Sequence, residues 1–130
     1  MATRQQNDRS SPSSRQTLGR EAEGLVERHL RRQGMVVIAR NQVFPGIGEL
    51  DLVVETADTR CFVEVRCRRS ARWGAPEETV DWRKQRKLRQ LARLFQERFP
   101  SAKPCRFDVA AVLWPPQGRP QLRYIPDAFC

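Results

Sequence analysis

Asp51, Glu64 and Arg66 are residues whose types and spacing could do chemistry. They lie in the stretch GELDLVVETADTRCFVEVRCRR, residues 48–69, where two apolar, β-branched runs each carry acids that a plain core strand would exclude. Let residues 56–59 turn the chain and Glu55 pair with Arg60 in an antiparallel hairpin. Counting outward then sets Asp51 opposite Glu64 and Glu49 opposite Arg66. Strand alternation predicts all four side chains on one face, with Leu50, Leu52, Val63 and Val65 on the other. A slip of one residue in register would disperse the set.

Two carboxylates directly opposite one another, about 5 Å apart at Cβ, repel. A shared proton, a basic side chain or a divalent cation must neutralise them. Hard oxygen ligands suit Mg²⁺ or Mn²⁺, with waters and a substrate phosphate filling the octahedron. Such an ion would activate a water and offset charge on a phosphodiester. The alternative is a half-exposed polar face in which Arg66 bridges Glu49 and Glu64 without metal. On the residues alone the alternative leads, since charged strand faces are common.

Four blocks in order, GELDLV, FVEVRCR, RKQRKL and CRFDV, resemble the YraN-like family of small bacterial proteins, over about residues 18–130. The resemblance implies the PD-(D/E)xK nuclease superfamily and its restriction-endonuclease-like fold: an α/β domain with an α-β-β-β-α-β core, its central mixed sheet flanked by helices. By the same resemblance Asp51 matches the metal-binding aspartate, Glu64 the acid of the (D/E)xK element and Glu23 the acid of the first helix, within reach of the same metal through water. Arg66 occupies the lysine position and Lys84 matches a helix lysine. A catalytic set of Glu23, Asp51, Glu64 and Arg66 follows, with Mg²⁺ or Mn²⁺ on Asp51, Glu64 and Glu23. The implied activity is phosphodiester hydrolysis on nucleic acid, DNA favoured over RNA and branched or structured DNA in particular. A likeness to Holliday-junction-resolving enzymes implies a homodimer.

Arg66 departs from the pattern. A lysine can share a proton and orient the attacking water, whereas a guanidinium stays charged and cannot act as a base. It can still hold a phosphate or offset developing negative charge. The substitution therefore argues against lysine-assisted water activation unless another lysine moves in, and Lys84 is the candidate. A module that keeps the fold and binds nucleic acid without cutting it stands as the rival reading.

The surrounding sequence supplies the elements and the charge. Residues 1–16 are polar and aperiodic, which predicts a disordered tail before a single domain over 17–130. Thr17 caps a helix with the stripe Leu18, Ala22, Leu25, Val26 and Leu30, ended by Gly34. A short β-rich run at 35–39 precedes a loop or bulged strand at 41–48. Strands follow at 50–55 and 61–66, then an irregular stretch at 68–76 and a long basic helix over about 79–99. Strands at 106–114 and 122–125 close the chain, with Arg106 and Asp108 paired locally and Asp127 at a turn.

The net charge of +9 favours a polyanionic partner, and residues 66–98 alone carry +7. Arg68, Arg83, Lys84 and Lys87 are the expected nucleic-acid contacts, with Arg83, Lys84 and Lys87 near the positive end of the basic helix. Trp73 and Trp82 stand among arginines, where they stack on unpaired bases or simply pack. His29 has a structural role beside the first helix's stripe. The four cysteines have no zinc spacing and read as free thiols of a reducing cytoplasm. No apolar run approaches membrane-spanning length and the N-terminus is not a signal peptide.

Overall fold

The computed structural model describes residues 14–72 and 74–130, so most of the expected tail, and Trp73, lie outside the described residues. Helix α1 spans Arg15–Arg32. Its cap is Ser14 rather than Thr17: the extended Ser14 accepts the Thr17 N–H on its side-chain oxygen at 3.0 Å. Arg15 and Gln16, expected in the tail, are the first residues of helix α1. Leu18, Ala22, Val26 and Leu30 are buried at the predicted helical spacing. Gly34 follows the helix at φ +87°, a conformation that costs a glycine nothing.

A turn at 45–47 completes the stretch that reads as loop or bulged strand, and strand β1 (Val36–Phe44) takes in its residues 41–44. It accommodates this by a register shift between Val37 and Ala39 and a positive φ of 49° at Asn41. Strands β2 (Gly48–Glu55) and β3 (Arg60–Arg68) follow, then α2 (Trp82–Arg98), β4 (Cys105–Leu113) and β5 (Gln121–Phe129). The five strands lie in sequence order, β3 and β4 parallel across the α2 crossover and every other pair antiparallel. The mixed sheet with its two helices is the α/β arrangement expected of a restriction-endonuclease-like core.

Adjacent residues sort into two cores, one on each face of the sheet. Val54, Val63 and Ala110 join Ala22, Val26 and Leu30 of α1; Val53, Phe62 and Val109 join Leu88, Leu91 and Phe95 of α2. Gly48 lets α2 come close, because a Cβ there would sit 3.3 Å from Leu91 Cδ1.

Helix α2 begins three residues later than its periodicity predicts. Pro76–Thr79 form a separate 3-10 turn, Val80 leaves helical geometry, and Asp81 caps the helix by accepting the Lys84 N–H at 3.0 Å. Asp81→Ala is expected to lower stability by about 1 kcal/mol in urea unfolding. An unchanged midpoint would show that the cap is dispensable.

Candidate active site

The hairpin has the register counted from its turn: Glu55 pairs with Arg60, Val54 with Cys61, Val53 with Phe62 and Leu52 with Val63. There the ladder stops. Asp51 inserts its carboxylate where the next backbone contact would form, Oδ2 accepting the Val65 N–H at 2.9 Å. Beyond that point β2 stays with β1, Glu49 opposite Val43.

The expected pairing of Glu49 with Arg66 is therefore corrected. So is the expectation that Leu50 and Leu52 share a face. Leu50 packs with the α2 core and Leu52 with the α1 core, because alternation breaks at the intervening aspartate. Strand β3 does alternate: Val63 and Val65 join the α1 core while Glu64 meets Lys84 of α2.

Glu64 is 4 % exposed. Its Oε2 lies 3.4 Å from Lys84 Nζ and 3.5 Å from Arg66 Nη1. Both contacts are longer than the roughly 2.8 Å of a saturated charge-assisted hydrogen bond. Its Oε1 is buried with no hydrogen-bond partner, as is Arg66 Nε. Arg66 also reaches back to donate from Nη2 to the Thr79 carbonyl at 3.1 Å, tying the 3-10 turn to the acids.

Burial pushes the Asp51 carboxyl up to about 8; the nearby charges of Glu64 and Glu23 add to this, against the Val65 N–H and Lys84. Burial also raises Glu64, opposed chiefly by Lys84 and Arg66. Burial and mutual repulsion thus favour a proton on the pair, while Lys84 and Arg66 draw Glu64 toward its charged form.

Glu23 is half-buried on α1, its Oε1 accepting from Asn41 Nδ2 at 2.9 Å. Its charge acts on Asp51. Among the described residues, however, no three acidic, histidine or cysteine groups converge closely enough to hold a metal. Asp51 and Glu64 are the acids brought together. Two hard carboxylates, one with an unpartnered buried oxygen, fit a small divalent cation that keeps several waters. Asn41 was missed by the sequence reasoning. Its one local signal is that asparagine tolerates the positive φ that aims it at Glu23.

The expected nucleic-acid contacts separate. Arg83 and Lys87 line a groove of about 820 Å³ along α2 with Trp82, Arg86 and Arg93. Lys84, one turn from Lys87, turns to Glu64 instead. Arg68 lies apart, in a hollow with Ser14, Arg15 and Cys67 at the start of α1. Arg106 and Asp108 pair as expected, at 2.9 Å through both nitrogens. His29 sits with its ring 6.4 Å from that of Tyr124. All four cysteines are free thiols. Among the described residues no helix is long and apolar enough to cross a membrane.

Comparison with known proteins adds a family. The model of the "Uncharacterised protein family UPF0102" matches residues 22–112, a span that includes Glu23, Asp51, Glu64, Arg66 and Lys84. A UPF0102 protein of Pseudomonas savastanoi pv. phaseolicola is 46 % identical over 119 residues, covering 90 % of this chain and 96 % of its own. One from Stutzerimonas stutzeri is 44 % identical, over 90 % and 98 % of the two chains. One from Xanthomonas campestris pv. campestris is 42 % identical, over 91 % and 95 %.

Proposed function

The chain belongs to the UPF0102 family, the YraN-like branch of the PD-(D/E)xK nuclease superfamily, and from that premise we propose that it is a metal-dependent endonuclease-like protein acting on nucleic acid. Branched or structured DNA is the substrate class the reading favours. The observation that carries it is Glu64: a buried acid facing Asp51, with one oxygen between two cations and the other without a partner. A buried carboxylate oxygen with no N–H partner, set beside a second acid, leaves a place for a shared proton or a cation.

Asp51 and Glu64 would hold Mg²⁺ or Mn²⁺, which when bound offsets phosphate charge and lowers the pKa of a water. The chain's own residues have distinct parts. Lys84 Nζ, 3.4 Å from Glu64 Oε2, can share a proton or orient a water, which Arg66 in the lysine position cannot. Arg66 stays charged, so its part is to hold a phosphate oxygen or offset charge developing on it. The first turn of α2, with Arg83 and Lys84 at the positive end of the helix, attracts the same phosphate.

Purified protein incubated with Mg²⁺ or Mn²⁺ and a panel of single-stranded, duplex and branched DNA and RNA is expected to cut at least one form. Asp51→Ala should lower the rate by roughly a hundred-fold or more, the scale of losing one charge-stabilising group. No cleavage above that variant's background on any substrate would sink the catalytic reading. A second reading, a binding module without chemistry, draws on Arg66, which cannot serve as a base. It requires salt-sensitive binding that ignores divalent cations and weakens in Arg83→Ala and Lys84→Ala.

A further inference from the structure

The first residue of α2 is an exposed tryptophan. Trp82 is 59 % accessible, while the apolar stripe of its helix, Leu88, Leu91, Ala92 and Phe95, is buried against the sheet. Its ring is flanked by two guanidinium groups, Arg83 at 5.5 Å and Arg86 at 5.7 Å from the centroid. These side chains open onto the groove that Lys87, Arg89 and Arg93 continue along the helix, and among the described residues no acid lines it.

We propose that this groove binds an unpaired nucleic-acid strand, with one base stacked on Trp82 and the flanking phosphates held by the arginines and Lys87. The inference rests on the nucleic-acid reading above and narrows its substrate class to strands with unpaired nucleotides. Charge alone would serve any polyanion, a duplex included, because phosphates are all that a basic helix face reads. The indole adds what charge does not. Every base has a π-face, but in a duplex that face is covered by its neighbours, so an exposed aromatic ring rewards only a base out of the stack.

The two arginines prepare the site. A guanidinium is planar and weakly hydrated, so it occupies the indole face until a base replaces it, and then turns to a phosphate. Lys84, two residues on from Trp82, turns away from the groove, its Nζ 3.4 Å from Glu64 Oε2.

Fluorescence anisotropy in EDTA tests this with cleavage excluded. The probes are a labelled single strand of roughly 15 nucleotides, on the order of one binding-site length, its perfectly paired duplex, and an abasic strand of equal charge. Trp82→Ala is expected to weaken single-strand binding roughly ten-fold, as loss of one stacked base does, while leaving duplex and abasic binding unchanged. Trp82→Phe, which keeps a ring, recovers most of the loss. Wild-type protein should itself prefer the single strand to the abasic one, an arm that needs no variant to fold. Equal losses on all three probes, no loss on any, or equal displacement of the single strand by heparin at matched charge would each overturn the proposal. Asp51-dependent cleavage without this Trp82 pattern leaves the nuclease reading standing and removes this one. The Trp82 pattern without cleavage does the reverse.

Discussion

Asp108→Ala is expected to destabilise the protein by about 3 kcal/mol, toward the lower end of what breaking a buried ion pair costs. Asp108 on β4 is fully buried between β3 and β5. Its carboxylate accepts from Arg106 through Nε and Nη2, from the Tyr124 hydroxyl, and from the Asp127 N–H at 2.9 Å. Removing it strands the Tyr124 hydroxyl and the Asp127 N–H. The loss stays at the lower end because the Arg106 side chain is 29 % exposed and can turn to water.

The same carboxylate fastens the end of β5. Asp127 has a φ of 53° at the point where the β4–β5 register shifts, and its N–H is held by Asp108 rather than by a strand partner. Urea unfolding measures the effect, and hydrogen exchange along β5 should rise with it. Tyr124→Phe, which deletes one hydrogen bond and keeps the ring, should lose only about 1 kcal/mol. If Asp108→Ala loses no more than Tyr124→Phe, the network is not the anchor of this edge.

Between pH 5 and 8 the free protein is expected to lose stability as pH rises, and Asp51→Asn to remove most of that slope. Asp51 keeps its proton in the folded chain up to about 8 and releases it near 3.8 when unfolded. Across that window the folded state binds more protons, so raising pH favours unfolding. The cause is burial first, then the Glu64 and Glu23 charges, with Lys84 opposing. The effect is on the order of a few kcal/mol.

Glu27 runs the other way. Arg40 hydrogen-bonded to it holds its pKa down to about 2 from 4.5, so its contribution disappears only as pH falls below 4.5 and leaves the higher window clear. A divalent cation favours the ionised pair, so Mg²⁺ or Mn²⁺ should raise the melting temperature more at pH 8 than at pH 6. Asp51→Asn should lose that gain. Thermal unfolding at several pH values decides it; a slope identical in wild type and Asp51→Asn would show that Asp51 is not the titrating group.

Much of the site was legible because its signals are local. A turn at 56–59 with Glu55 opposite Arg60 is enough to set the register of the hairpin, and the observed pairs obey it as far as Leu52 and Val63. Leu18, Ala22, Val26 and Leu30 of α1 are buried as their spacing implied, with Leu25 only partly so, and the Arg106–Asp108 pair forms two residues apart on one strand. Lys84 Nζ lies 3.4 Å from Glu64 Oε2, a contact between a helix and a strand twenty residues apart in the chain.

The corrections share a different origin. Ser14 caps α1 where Thr17 was expected, and Asp81 caps α2, since each places an oxygen on an N–H three residues on. Arg66 has an acid two residues before it and another across the counted register, yet its second contact is the Thr79 carbonyl, thirteen residues on.

By itself the sequence determined the order of elements, the hairpin register, the acidic pair and the basic helix, because these depend on spacing within a segment and on side-chain charge. Only the tertiary structure decided that β2 parts from β3 at Asp51, that Leu50 and Leu52 enter opposite cores, and that Glu64 keeps one oxygen without a partner. Those outcomes arise where α2, the 3-10 turn and β3 meet. Burial and hydrogen-bond satisfaction there are properties of the assembled neighbours, which no one segment encodes.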